Sequence, residues 1–285
     1  MSPAVRIVRG RDLAPSWTVL RATEPGFRRS LVTWMGGPEG YINTHPGIAV
    51  VSRHCAVGLM DMAVGNRQPG VHTHTIDEIY VILEGHCESF DGVGNTHIAG
   101  PLDCLYIPKG VPHGVRTIGD VDLRLLWVND DIERWGVSVY AEGPGPYPAA
   151  AEVGLIPMSA LDPTDAQSIN ADASTAPSMT SWVDCPAAGI HGTRGVSAHN
   201  ARLGLGLTVL PRRDHWILSA HPTDQLWVVG GGRASVRVGG RRELVETGDA
   251  LFCSANSTVD IEGDDDGPAQ FVRMVQAPPP IPTRS

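Results

Sequence analysis

Three histidines and one glutamate are the residues of this chain best suited to hold a metal ion. His72, His74 and Glu78 fall within Gly70-Val-His-Thr-His-Thr-Ile-Asp-Glu, and His113 closes the later stretch Pro108-Lys-Gly-Val-Pro-His. Side chains alternate along a strand, so His72 and His74 share a face, and Glu78, four residues on, keeps their parity. A later strand can bring His113 to the same place. Three imidazoles and one carboxylate suit one divalent first-row metal per chain, with Fe(II) favoured and Mn, Ni, Co, Cu or Zn as alternatives. An octahedral ion with four protein donors keeps two positions for water, substrate or dioxygen. Imidazole binds metal only when neutral, so affinity is expected to fall below about pH 6.

Other residues are candidates for the same interior. Tyr80 and Ile82 share the parity of Glu78. With Met60, Met62, Tyr106 and Trp127, Ile82 is a candidate wall of a substrate pocket; ordinary core is the competing reading for each. His45, beside Tyr41 and Asn43 in a glycine-rich loop, is a candidate acid–base group, as is Tyr80. Cys104 reads as a buried small apolar residue rather than a nucleophile. No Ser/His/Asp set, phosphate loop or dinucleotide fingerprint stands out.

The elements that must position these residues read as short strands. Ser30–Met35, Ala49–Arg53, Ala56–Val64, Ile76–Leu83, Cys87–Phe90, Thr96–Ala99, Cys104–Ile107 and Leu123–Val128 follow one another without an amphipathic helix between them. The 33 glycines and 23 prolines fit many turns. Such spacing predicts an all-β sandwich or barrel. Residues 131–177, with Glu142-Gly-Pro-Gly-Pro-Tyr-Pro, read as a Pro/Gly-rich linker, with short helical turns expected at Ala149–Val153 and Ser159–Ala166.

The pattern then repeats. Ser30-Leu-Val-Thr-Trp is echoed by Ser178-Met-Thr-Ser-Trp, Tyr80-Val-Ile-Leu-Glu-Gly by Trp227-Val-Val-Gly-Gly-Gly, and Leu102-Asp103 by Gly248-Asp249. The near-constant offset predicts a duplicated barrel. The expected division is an arm over 1–29, a first barrel over 30–130, the linker over 131–177, a second barrel over 178–278 and a tail over 279–285. In the second copy Ser219, His221, Gln225 and Val259 stand where His72, His74, Glu78 and His113 do. Ser254 replaces Pro108 and Asn256 replaces Gly110. That set is not expected to hold a divalent ion, so the second barrel is expected to be structural or at most to take an organic ligand.

These motifs resemble the cupin family, whose pattern is G-x5-H-x-H-x3,4-E-x6-G followed by G-x5-P-x-G-x2-H. His72, His74, Glu78 and Gly85 match the first half; Pro108, Gly110 and His113 match the second. Leu102 stands where the family has glycine before Asp103. The resemblance covers most of residues 30–275. It implies two tandem double-stranded β-helix (jelly-roll) barrels, metal held by the four named residues, and barrels paired edge to edge in a homodimer.

The whole chain bounds the function. Its 285 residues carry 42% apolar and 19% charged residues, as a soluble globular protein does, and a formal net charge of −9 argues against nucleic acid or an anionic membrane as partner. Five cysteines without a C-x-x-C fit a reducing compartment, and no signal-like core or long apolar run is evident, so a cytoplasmic location is expected. Three functions remain. One is a non-haem Fe(II) dioxygenase acting, with O2, on a small enol, diketone or hydroxylated aromatic. Another is a redox-neutral isomerase, lyase or decarboxylase with the metal as Lewis acid. The last is a small-molecule-binding protein without turnover.

Overall fold

The computed structural model describes residues 5–37, 45, 47–52, 54–132, 138–143, 145–162, 167–168, 178–218 and 221–278. The chain forms two compact units, Asp12–Met158 and a second one made of Met1–Arg11 with Ser159–Ser285.

The first unit is two sheets. One has seven strands, in the order Gly154–Ile156, Cys104–Ile107, Glu78–Glu84, Leu123–Asn129, Ala56–Met62, Arg29–Gly36 and Val50–Val51. The other has five: Val139–Tyr140, His72–Thr73, His113–Ile118, His86–Asp91 and Thr96–Ala99. Residues of both sheets pack in one apolar cluster, with Met60, Tyr80, Ile82, Leu105, Leu125 and Trp127 from the larger and Cys87, Ala99 and Val115 from the smaller. The central strand Glu78–Glu84 holds because both its faces are buried, so β-branched and aromatic residues fit along its length. It ends at Gly85, whose φ is +73° and where an added Cβ would fall 2.5 Å from the Asp122 carbonyl oxygen. Only glycine meets both demands.

The second unit repeats this plan. Its eight-stranded sheet runs Val5–Val8, Ala250–Cys253, Gln225–Gly231, Ala269–Gln276, Leu203–Leu210, Ser178–Asp184 and Gln167–Ser168, with Ala198–His199 beside Ser178–Asp184. Its four-stranded sheet runs His215–Leu218, Val259–Gly263, Arg233–Val238 and Arg241–Glu246. Trp227, Val229, Leu251 and Phe271 of one sheet pack with Val236, Val245 and Ile261 of the other. The architecture is the all-β, two-barrel one that the repeat predicts.

Two expected segments differ. The arm is divided: residues up to Arg11 belong to the second unit, and those from Asp12 to the first. Val5–Val8 pairs antiparallel with Ala250–Cys253, while Gly154–Ile156, from the expected linker, pairs antiparallel with Cys104–Ile107. The stretch preceding each barrel therefore supplies the edge strand of the other. Ala149–Val153 is not helical; Met158–Ala160 forms a 3-10 turn, and 163–166 lie outside the described residues. Among the described residues no helix is long and apolar enough to cross a membrane.

Candidate metal centre

His72 and His113 are brought together by strand pairing, since they are register partners across His72–Thr73 and His113–Ile118. His74 follows directly. Glu78 comes from the other sheet, at the start of Glu78–Glu84. Backbone contacts lock the two motif halves to each other: Gly110 N–H donates to the His74 carbonyl at 2.8 Å and Lys109 N–H to Asp77 Oδ1 at 2.8 Å. The Gly110 turn needs a φ of +77°. The result is four side chains, each 1–7% exposed, offering donor atoms within 4.8 Å of one another. Glu78 Oε2 is the common point. It lies 2.9 Å from His113 Nε2, 3.1 Å from His74 Nε2, 4.0 Å from His72 Nε2 and 2.9 Å from the Tyr80 hydroxyl, which donates to it.

The protonation demands of this cluster fit a cation. His113 Nδ1 lies 2.9 Å from the Val111 carbonyl oxygen, which only accepts, so Nδ1 carries the hydrogen. Neutral His113 then points the lone pair of Nε2 at a carboxylate oxygen, an arrangement that needs a proton or a metal ion to be favourable. His72 Nδ1 is buried with no hydrogen-bond partner among the described residues. Burial, with help from His113, holds the His72 imidazole well below its usual pKa, in the neutral form that ligates. Burial pushes the Glu78 carboxyl up, but His74 and His113 outweigh it and hold it well below the carboxylate range. A fixed tautomer, a neutral imidazole and an ionised carboxylate are what a divalent ion requires of its ligands.

Residues 58–129, which contain all four side chains, match the family model described as Cupin domain. That stretch of the chain is similar to cupin domains. Over 72 residues, 25% of its length, the chain is 35% identical to dimethylsulfoniopropionate lyase DddQ of Ruegeria pomeroyi, and the match spans 36% of that protein's length. Among solved structures it is similar to bacterial pirin YhhW of Escherichia coli in complex with nickel(II), with a TM-score of 0.61, 13% identity and coverage of 97% of this chain and 100% of that one. It is also similar to the oxalate decarboxylase formate complex of Lactobacillus farciminis, with a TM-score of 0.60, 11% identity and coverage of 96% and 86%. At such identities the likeness is one of fold. The His/His/Glu/His cluster is a set able to hold a divalent metal, within the stretch that matches the cupin domain.

The interior of the first barrel sorts the remaining candidates by register. Trp127 pairs with Tyr80, and Leu125 with Ile82 and Met60, so Tyr80, Ile82, Met60 and Trp127 all face the core. Tyr80 reaches the ligands directly, and Trp127 is its partner across the strands. Its indole rests over Gly58, where an added Cβ would fall 2.3 Å from the ring, and its Nε1 has no hydrogen-bond partner. Met60 and Met62 sit deeper, roughly 13 and 20 Å from the Glu78 row at about 3.4 Å per residue, and are packed core rather than pocket wall. Tyr106 is a correction: it pairs with Ile79, so it lies on the outer face, where its hydroxyl donates to Asp77. Leu105 and Ile107 take the inward places. His45 Nε2 lies 2.6 Å from the Ala14 carbonyl oxygen, while Tyr41 and Asn43 lie outside the described residues.

Three residues that sequence reasoning passed over belong to this site. Tyr140 is the register partner of His72, with ring centroids 5.0 Å apart, and its hydroxyl lies 3.3 Å from Arg29. Gln68 is buried, accepts from Val115 N–H at 2.9 Å and hydrogen-bonds Tyr80. Tyr140 lies in the stretch read as linker, and the motif gives no reason to include it.

The second barrel keeps the scaffold without the ligands. Asn256 N–H donates to the His221 carbonyl at 2.7 Å and Ala255 N–H to Asp224 Oδ1 at 2.7 Å, the counterparts of the Gly110 and Lys109 bonds. His221 Nδ1 is engaged by Thr223, Gln225 by Arg273, and Val259 is core; Ser219 lies outside the described residues.

Proposed function

We propose that this protein is a metal-dependent, redox-neutral lyase or decarboxylase acting on a small carboxylate-bearing substrate. The observation that carries the reading is the Tyr80 hydroxyl, buried beside the three imidazoles and 2.9 Å from Glu78 Oε2. Burial, reinforced by the Glu78 carboxylate, holds the Tyr80 phenol well above its usual pKa. Tyr80 therefore enters a reaction with its proton on, and the hydrogen bond to Glu78 orients it. The phenol is thus placed to hand its proton to the carbanion left when a substrate bond breaks, and to be reprotonated from solvent before the next turnover. A divalent ion on His72, His74, Glu78 and His113 would supply Lewis acidity toward a carbonyl or carboxylate. The orphaned Trp127 Nε1 is a hydrogen-bond donor for a substrate oxygen, and the apolar row of Leu105, Ile107 and Val111 excludes water. The similarity to an enzyme named as a propionate-derivative lyase supports the substrate class.

A second reading is oxidation by dioxygen at Fe(II). The three-imidazole, one-carboxylate set favours it, because two positions on an octahedral ion stay available for substrate and O2. Turnover under nitrogen, on a panel of small carboxylates and enols, separates the two. Product formation without oxygen, lost by about 100-fold or more in Tyr80→Phe with metal content unchanged, supports the lyase reading. Oxygen uptake matched to product overturns it in favour of the oxidase.

A further inference from the structure

The second barrel holds a buried cation with no anion beside it among the described residues. Arg273 is 2% exposed and sits on the strand Ala269–Gln276, opposite Trp227 in register. Its Nε donates to Gln225 Oε1 at 3.0 Å, as does Nη2, and its guanidinium lies 4.3 Å from the Trp227 ring centroid. Nη1 has no hydrogen-bond partner among the described residues. Among the described residues no carboxylate pairs with Arg273.

A guanidinium does not readily shed its charge, and a buried one needs a counter-anion. Cation–π contact and a neutral amide oxygen meet only part of that need. Two more polar atoms in the same interior are buried without partners. One is Trp227 Nε1, on the ring stacked against the guanidinium. The other is Thr208 Oγ1, diagonal to Arg273 across the pairing of Leu203–Leu210 with Ala269–Gln276. Two orphaned polar groups beside a guanidinium that is itself part-unpaired mark a place for a ligand rather than a packing compromise.

Comparison of the two barrels gives the sign of that ligand. Gln225 stands where Glu78 does, so a negative charge is gone. Arg273 stands where Trp127 does, each opposite its Tyr80 or Trp227 partner, so a positive charge is gained. An interior arranged for a cation in the first barrel is arranged for an anion in the second.

We propose that the second barrel binds a small monocarboxylate, of the size of formate or acetate, through Arg273 Nη1 and Trp227 Nε1. A carboxylate offers two oxygens in one plane, and arginine and indole N–H groups donate without accepting. Burial pushes the Arg273 guanidinium down to about 9, the expected mark of a buried cation lacking its anion. The site does not depend on the chemistry of the first barrel.

The test is thermal melting of the full chain with sodium formate, acetate or chloride at matched ionic strength. Each series is run with metal present and after chelation. A saturable rise in midpoint with formate or acetate, roughly 5 °C at about fifty-fold excess over Kd, is expected in both metal states and is lost in Arg273→Met. No saturable rise overturns the proposal. So does an unchanged rise in the variant, a rise that needs metal, or an equal rise with chloride, which would mark a general salt effect. Tryptophan emission gives a second readout that needs no arginine variant. Acetate is expected to change it in the native chain and not in Trp227→Phe; no change in the native chain overturns the placement.

Discussion

One oxygen atom, Oε2 of Glu78, receives the Tyr80 hydroxyl and faces the Nε2 atoms of His74 and His113. Removing its side chain or that of His74 by alanine is expected to reduce metal content at least tenfold, as read by metal analysis, while circular dichroism stays native, because the apolar cluster between the sheets does not include these ligands. The metal-free chain should also be acid-sensitive in a defined direction. His72 and Glu78 both have folded pKa values below their unfolded ones. The unfolded chain therefore takes up protons that the folded one refuses. Stability is full above about pH 6.5, falls first as unfolded His72 charges, and falls again below about pH 4.3 as unfolded Glu78 is protonated. Melting midpoints of metal-free protein across pH 4–8 check this, and His72→Gln should flatten the upper limb. At this scale the four ligands were legible because they occur in two short motifs. Tyr106 was misplaced because its face depends on which residue it meets on the neighbouring strand, Ile79, and sequence does not print register.

Turns decide the next scale. Leu102 has φ +68° at the place where the second barrel has Gly248 at +93°. A side chain in that region costs about 1–2 kcal/mol, offset in part by the lower chain entropy of a non-glycine residue. Leu102→Gly should therefore stabilise the first barrel by roughly 0.5–1 kcal/mol in urea unfolding. Gly85→Ala should do the reverse, by more than about 1 kcal/mol, since its Cβ would meet the Asp122 carbonyl oxygen at 2.5 Å. The strands Thr96–Ala99 and Cys104–Ile107 were readable to the residue, and Glu78–Glu84 nearly so. His72–Thr73 and Val139–Tyr140 were not, because a two-residue strand has no period to detect. Their existence is settled by pairing alone, and so is the position of Tyr140 against His72.

At the scale of the chain, the exchanged edge strands carry their own prediction. Deleting residues 1–11 removes the partner of Ala250–Cys253. Amide exchange should quicken there, while Cys104–Ile107 keeps its protection from Gly154–Ile156 and metal content does not change. The repeat was visible in the sequence through Ser30/Ser178, Tyr80/Trp227 and Leu102/Gly248. The exchange was not, because Val5 meets Cys253 across nearly the whole chain and a local pattern names no distant partner.

That exchange limits how this protein can be divided. A cut after Met158 leaves the first unit whole, with Gly154–Ile156 still at its edge, but splits the second. The front fragment carries Val5–Val8 with nothing to receive it, and the rear fragment leaves Ala250–Cys253 with an open row of N–H and C=O groups on that side. Duplication supplied two barrels, and each now depends on the other's leading segment to close its sheet.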